Sequence, residues 1–123
     1  MDREMVADFP WGLLLVTDVD ATDVIPRWDS DEQIATASET AVVVRIRHAD
    51  EGDVIVCVLG SLEESEGECV FDGRLRVESG ILRVSDALGQ NSIDTAVEPG
   101  FHRVRVFVTP VNEAERVELL IDS

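Results

Sequence analysis

The residue types that most often carry catalysis are scarce in this sequence, and their spacing forms no recognisable active site. The two histidines, His48 and His102, are of a type that serves as acid–base catalyst or zinc ligand. Each stands at the end of a predicted strand, with no nucleophile coupled to it. Ser61 and Ser79 lack the Gly-x-Ser-x-Gly frame of a nucleophilic serine, and no phosphate-binding glycine loop is present. The sequence therefore predicts a protein that is not an enzyme and that holds no cofactor or metal.

One acidic segment begins like a calcium-binding loop. Residues 18–23 alternate Asp18, Asp20 and Asp23 with other residues. A complete EF-hand loop needs glycine at its sixth position and a bidentate glutamate at its twelfth. Asp23 and Asp29 occupy those positions instead. We therefore expect a solvated acidic turn here.

The two cysteines are not predicted to be reactive. Cys57 lies within the apolar run Val54–Leu59, which is typical of a buried strand. A nucleophilic thiol must be accessible, so we expect a reduced thiol in the core. A disulfide between Cys57 and Cys69 requires that they face each other as close neighbours.

The start of the chain and its apolar runs favour the cytoplasm. The first four residues include Asp2 and Glu4, whereas a secretory signal starts with basic residues followed by an apolar stretch. The longest apolar runs, Leu13–Val16 and Val54–Leu59, are too short to span a bilayer.

The charge of the chain is its most unusual property. Its 123 residues include 26 acidic residues and 10 basic ones, all of them arginine, which gives a formal net charge of −16. Such a charge opposes binding to nucleic acid and to anionic membranes, since both require clustered cations. Three explanations stay open: adaptation to a salt-rich cytoplasm, drift in a GC-rich genome, or an acidic surface that binds a basic protein.

Two acidic loops are the predicted partner-binding elements under the third explanation. Carboxylates placed where phosphates would lie can occupy a basic groove, and complementary charge increases the rate and selectivity of association. The predicted contact residues are Asp50, Glu51, Asp53, Glu63, Glu64, Glu66 and Glu68.

The arginines suggest a competing site. The segments Arg45–Arg47, Arg74–Arg76 and Arg103–Arg105 each place two arginines around one apolar residue of a predicted strand. If two such strands are neighbours, their outward faces form a cationic stripe, and we name Arg45, Arg103 and Arg105 as candidate anion ligands. The alternative is that these arginines pair across strands with Glu78, Glu115 or Glu118.

Alternating hydrophobicity predicts β structure along nearly the whole chain. Valine and isoleucine alternate with polar residues in 42–47, 74–77, 101–108 and 116–121, and β-branched residues suit a pleated sheet. Glu78–Gly80 is predicted as a hairpin connection, and Pro99-Gly100 as a type II turn. Only the region from Ser30 to Ser38 is ambiguous, and there we favour a short helical turn followed by a strand. The prediction is one all-β domain, residues 1–123, folded as an antiparallel, jelly-roll-like β-sandwich of roughly seven to nine strands.

The second half of the chain resembles a known group of proteins. Residues 78–84 (ESGILRV) and 97–106 (VEPGFHRVRV) are similar to a pattern in small bacterial β-sandwich proteins, although Phe101-His102 departs from it and lacks the usual tyrosine. Some of them resemble the nuclease inhibitors of the competence protein J family. The resemblance implies a compact β-sandwich that binds and silences a protein partner.

The functional prediction is a non-enzymatic binding module of the inhibitor or immunity type, with a basic protein as its partner. Two alternatives are kept: an anion-binding domain or small enzyme that uses the arginines, and a protein that self-associates through its edge strands.

Overall fold

The computed structural model describes residues 3–20, 28, 33–59 and 65–122. This part of the chain forms ten β-strands and two short 3₁₀ turns, Pro10–Gly12 and Ala49–Glu51, without an α-helix. No helix in the described ranges is long and apolar enough to cross a membrane. The strands are β1 (Arg3–Ala7), β2 (Leu13–Asp18), β3 (Ala35–Ala37), β4 (Ala41–Arg45), β5 (Val54–Leu59), β6 (Glu68–Val77), β7 (Ile81–Asp86), β8 (Ser92–Ala96), β9 (Gly100–Thr109) and β10 (Arg116–Asp122).

The strands form two sheets, which confirms the predicted β-sandwich. The first sheet has the order β1-β5-β10-β9-β6 and the second β3-β4-β2-β7-β8. Neighbouring strands are antiparallel except β10 and β5, which run parallel with Val117 opposite Val56. The count of ten exceeds the predicted seven to nine because β1 and β8 are short strands with charged residues interspersed. The predicted strand in residues 33–38 is present as β3, whereas the predicted helical turn before it falls on residues outside the described ranges.

The predicted hairpin at Glu78–Gly80 is wrong. β6 pairs with β9 in the first sheet, whereas β7 pairs with β2 and β8 in the second. The segment therefore carries the chain from one sheet to the other. The connections β1–β2, β4–β5 and β8–β9 also change sheets.

The core lies between the sheets and is built from alternating aliphatic side chains. Each fully buried valine or leucine contributes about 1.5–3 kcal/mol relative to an exposed one. In β9, Val104 and Val106 face the core while Arg103 and Arg105 face outward, as the alternation predicts. The core also includes Phe9, Leu14, Val16, Val42, Val44, Val54, Val56, Leu75, Val77, Leu82, Val84, Val117 and Leu119.

A buried aspartate ties the β6–β7 crossing to the end of β2. The Asp18 carboxylate accepts hydrogen bonds from the backbone N–H groups of Asp20 at 3.2 Å, Glu78 at 2.9 Å and Ser79 at 3.4 Å, and from the Ser79 hydroxyl. Burial raises the pKa of Asp18, but these hydrogen bonds outweigh it and leave the pKa below its ordinary value. Asp18, predicted as part of a solvated turn, is therefore a buried structural residue. Asp23 and Asp29 lie outside the described residues.

A second buried aspartate shapes the β7–β8 hairpin. The Asp86 carboxylate accepts the backbone N–H groups of Leu88 at 2.8 Å, Gln90 at 3.1 Å and Asn91 at 2.9 Å. Burial again raises the pKa, and the hydrogen bonds from Gln90, Asn91 and Leu88 again bring it below the ordinary value. The loop is thus held around one ionised carboxylate.

Candidate functional site

The acidic turn between β4 and β5 is built on a defined backbone. His48 Nδ1 accepts the backbone N–H of Asp50 at 3.1 Å, and the N–H of Gly52 bonds to the Ala49 carbonyl at 3.3 Å. Gly52 has φ +132°, a backbone conformation that favours glycine, and it lies against the end of the Arg47 side chain. The side chains of Asp50, Glu51 and Asp53 are exposed. This turn holds three exposed carboxylates on a hydrogen-bonded backbone.

The turn between β1 and β2 lies directly beside the acidic turn. The carbonyl of the buried Phe9 accepts N–H groups from Gly12 at 3.0 Å and from Ala49 at 3.1 Å. The Gly12 carbonyl accepts the N–H of Ile46 at 2.8 Å. These bonds join the two turns at one end of the sandwich.

An exposed tryptophan stands on this second turn. Trp11 is 66% exposed. Asp8 follows the last residue of β1, Ala7, which pairs with Val54, and Asp53 directly precedes Val54. Asp8 is exposed as well. Sequence analysis did not identify Trp11 or Asp8. The signal in the sequence that could have identified Trp11 is Pro10-Trp11-Gly12, a turn sequence that contains one of the two tryptophans.

The acidic loop before β6 is anchored by a buried glutamate. Glu118 on β10 is fully buried. Its carboxylate accepts the backbone N–H groups of Glu66 and Gly67, both at 2.9 Å, and the Ser65 hydroxyl at 3.4 Å. Glu118 was predicted as a cross-strand partner for arginine. Arg116 Nε does lie 3.6 Å from it, but its hydrogen bonds go to the loop.

The anchor is explained by the path of the chain. β5 ends at the far end of the first sheet and β6 starts at the near end, since the strands between them fix their directions. Residues 65–67, which precede β6, lie on the outer face of this sheet, where Glu118 accepts their hydrogen bonds. Beneath this face Cys57, Leu59, Phe107 and Leu120 form a second apolar cluster.

The strand directions bring both predicted acidic elements to the same end of the molecule. Asp53 precedes β5 and Glu68 starts β6, and both lie where β10 begins. β10 and β9 separate β5 from β6, a distance of about 14 Å at the usual strand spacing. Glu66 and Glu68 are exposed, while Glu63 and Glu64 lie outside the described residues. We call Asp8, Trp11, Asp50, Glu51, Asp53, Glu66 and Glu68 together the acidic end.

The three candidate anion ligands are not brought together. Arg103 and Arg105 lie on β9 beside β6, as the neighbouring-strand hypothesis requires, but Arg45 lies on β4 of the other sheet. Arg45 stacks on Trp28, 4.1 Å from the ring centroid.

Arg103 and Arg105 are engaged by carboxylates of their own sheet. Arg103 donates two hydrogen bonds to Asp72, at 2.8 and 2.7 Å, and these bonds lower the pKa of the Asp72 carboxyl. Arg105 Nη2 donates to Asp122 at 2.6 Å. Arg47 pairs with Glu115 at 2.5 Å, and Arg76 pairs with Glu78 and Glu39. Most of the positive charge is therefore balanced within the molecule.

Cys57 is not placed to act as a nucleophile. Cys57 is buried and 3.6 Å from Glu4 Oε2, and burial raises the pKa of its thiol. Cys69 is exposed on β6, about 14 Å away at ordinary strand spacing, whereas a disulfide needs Cα atoms about 4.4–6.8 Å apart. Both thiols are free.

The histidines serve the fold. His48 holds the acidic turn, and buried His102 donates from Nε2 to the Glu98 carbonyl at 2.5 Å. Among the described residues, no group of three or more histidine, cysteine, aspartate or glutamate side chains is placed to hold a metal ion.

The fold is similar to two solved structures. One is ComJ from Bacillus subtilis, described as an inhibitor of the DNA degrading activity of NucA, with a TM-score of 0.73 and 13% identity over 98% of this chain and 93% of that one. The other is described as crocagin biosynthetic gene J, with a TM-score of 0.58 and 13% identity over 98% and 96% of the two chains. No protein-family model matches the chain, and no curated protein matches its sequence. The predicted structural resemblance to competence protein J is confirmed.

Proposed function

We propose that this chain is a non-enzymatic binding module of the inhibitor type, and that its acidic end binds a basic protein. One observation carries the proposal: the carboxylates of the acidic end form no salt bridge with arginine among the described residues, whereas most described arginines pair with other carboxylates, namely Arg47, Arg76, Arg83, Arg103 and Arg105. The acidic end therefore keeps an unbalanced negative charge that a cationic partner would neutralise.

The similarity to ComJ supports a protein partner of this kind. That protein is described as inhibiting a DNA-degrading activity. An enzyme that degrades DNA must attract phosphates, and it does so with lysine and arginine. Carboxylates held on rigid turns can occupy such a surface in place of the phosphates. The partner we propose is thus a basic, DNA-processing type of protein.

The same charge would control how the complex forms. The field of a −16 molecule accelerates encounter with a cationic surface, and this acceleration decreases steeply with ionic strength. Free Cys57 and Cys69 suit a reducing compartment, and we include a cytoplasmic location in the proposal.

The test is capture of the partner from a lysate of the source organism, with a charge-matched control. The site variant is Asp50→Asn, Glu51→Gln, Asp53→Asn. The control, Asp20→Asn, Glu39→Gln, Glu98→Gln, removes the same charge from exposed residues near the opposite end. We expect one basic protein, identified by mass spectrometry, in stoichiometric amount with wild type and control, released by moderate salt and lost with the site variant. Failure to capture a basic protein, or equal capture by the site variant, would overturn the proposal.

A further inference from the structure

The acidic end contains one large apolar side chain that the fold does not use. Trp11 is 66% exposed, so its ring contributes little to the core. Tryptophan is among the residues that most often dominate binding energy at interfaces. Its place among carboxylates raises the question of which partner group fits it.

The backbone at Trp11 favours a different residue. Trp11 has φ 63° and ψ 3°, and Gly12 N–H bonds back to the Phe9 carbonyl. These values match the third position of a type II turn, where glycine is usual. A side chain in the left-handed region costs about 1–2 kcal/mol. The turn therefore presents an exposed tryptophan at a cost in stability.

The carboxylates near Trp11 favour a cationic group on the binding partner. The turn that carries Asp50 and Glu51 is hydrogen-bonded to the Trp11 turn. Asp8 and Asp53 are the residues next to the Ala7–Val54 pair, where the chain enters the Trp11 turn and leaves the acidic turn. A second copy of this chain would bring the same carboxylates against these, so like charges oppose self-association through this surface.

The second tryptophan shows what an indole of this protein accepts. Trp28 carries the Arg45 guanidinium 4.1 Å from its ring centroid. Among the described residues, no cation lies over Trp11. The indole of Trp28 is therefore occupied by an arginine of its own chain, whereas that of Trp11 is not.

We infer that Trp11, with the carboxylates of Asp50 and Glu51, is a receptor for an arginine side chain of the basic partner. The guanidinium would stack on the indole face and donate hydrogen bonds to a carboxylate from its edge. Arginine is favoured over lysine because its planar group can do both at once. This inference rests on the proposed function and specifies the contact through which it operates.

The test uses hexa-arginine and hexa-lysine peptides as probes. In a ¹H–¹⁵N NMR titration, the Trp11 indole signal should shift saturably with hexa-arginine and less with hexa-lysine, while the Trp28 signal serves as an internal reference. By calorimetry, Trp11→Gly should weaken hexa-arginine binding about threefold or more, as the loss of one cation–π contact requires. Trp11→Phe should restore part of the affinity. Equal affinity of wild type and Trp11→Gly, or equal shifts of both indoles, would overturn the inference.

The partner assay separates this inference from the proposed function. If hexa-arginine binds at Trp11 but the lysate yields no basic protein, the proposed function fails and the arginine receptor stands. If a basic protein is captured and binds Trp11→Gly as tightly as wild type, the receptor assignment fails and the proposed function stands.

Discussion

Trp11 occupies a backbone conformation that glycine adopts at no steric cost. Turn chemistry in Pro10-Trp11-Gly12 was visible in the sequence, but the exposure of the indole was not, because tryptophan is usually mostly buried. Positive φ at Gly12 (65°) was equally open to prediction, whereas two adjacent residues in the left-handed region required the three-dimensional structure.

Replacing Trp11 tests this strain directly. We expect Trp11→Gly to be more stable than Trp11→Ala by about 1 kcal/mol, because alanine retains the steric cost at φ 63° and glycine relieves it. Urea unfolding of the two variants measures the difference. A Trp11→Ala protein as stable as Trp11→Gly would show that the left-handed backbone carries no cost.

The buried aspartates make stability depend on pH. The pKa of Asp86 is lowered in the folded state from 3.8, so its ionised form contributes stability above about pH 4 that is lost as the pH falls through the folded-state pKa. Asp86→Asn should lower the free energy of unfolding at pH 7 by about 1–3 kcal/mol, since several backbone donors lose a charged acceptor.

The difference in the free energy of unfolding between wild type and Asp86→Asn should become smaller as the pH decreases below 4. Chemical unfolding at pH 7, 4 and 2.5 measures it, and Asp53→Asn, at an exposed position before β5, serves as the control. A difference that does not change with pH would mean that the Asp86 charge is unimportant.

At the scale of elements, hydrophobic alternation predicted most strands but not the sheet that each one joins. The strands around Val104 and Leu75 could be predicted because each residue alternates with polar neighbours in the local sequence. The pairing of β6 with β9 and of β7 with β2 depends instead on residues distant in sequence. For the same reason Glu118 was predicted to be a cross-strand partner for arginine. Its outward position in β10 was predictable, but the loop that covers it was not.

The anchoring of the acidic loop by Glu118 can be measured by hydrogen exchange. Glu118→Ala should accelerate exchange of the Glu66 and Gly67 amides, which donate to its carboxylate at 2.9 Å, and lower stability by about 1–3 kcal/mol. Glu113→Gln, an exposed residue of the β9–β10 hairpin, should leave both amides unchanged. Unaltered exchange in Glu118→Ala would contradict the anchoring role.

At the scale of the whole molecule, the net charge of −16 was available from composition, but its distribution was not. Only the structure shows that most arginines are paired, while the carboxylates of the acidic end form no salt bridge with arginine among the described residues. Thermal unfolding in KCl tests whether self-repulsion among these charges lowers the stability of the protein. If self-repulsion dominates, the melting temperature should rise mainly below about 0.15 M, where the screening length falls to about 8 Å.

A melting temperature that climbs steadily to molar KCl would instead indicate adaptation to a salt-rich cytoplasm. Potassium glutamate at the same ionic strength is a suitable comparison, since screening depends on ionic strength and not on the anion. A melting temperature that does not change with the concentration of either salt would exclude both self-repulsion and adaptation to a salt-rich cytoplasm.

The sheet-changing connections have a consequence for folding. Both turns of the acidic end, β1–β2 and β4–β5, join one sheet to the other, so neither turn can take its final form before the sheets dock. Pairings such as Glu4 with Cys57 and Phe71 with Val106 join residues distant in sequence, which favours slow, cooperative folding. A partly folded chain therefore has no acidic end, and the proposed partner binding would report that folding is complete.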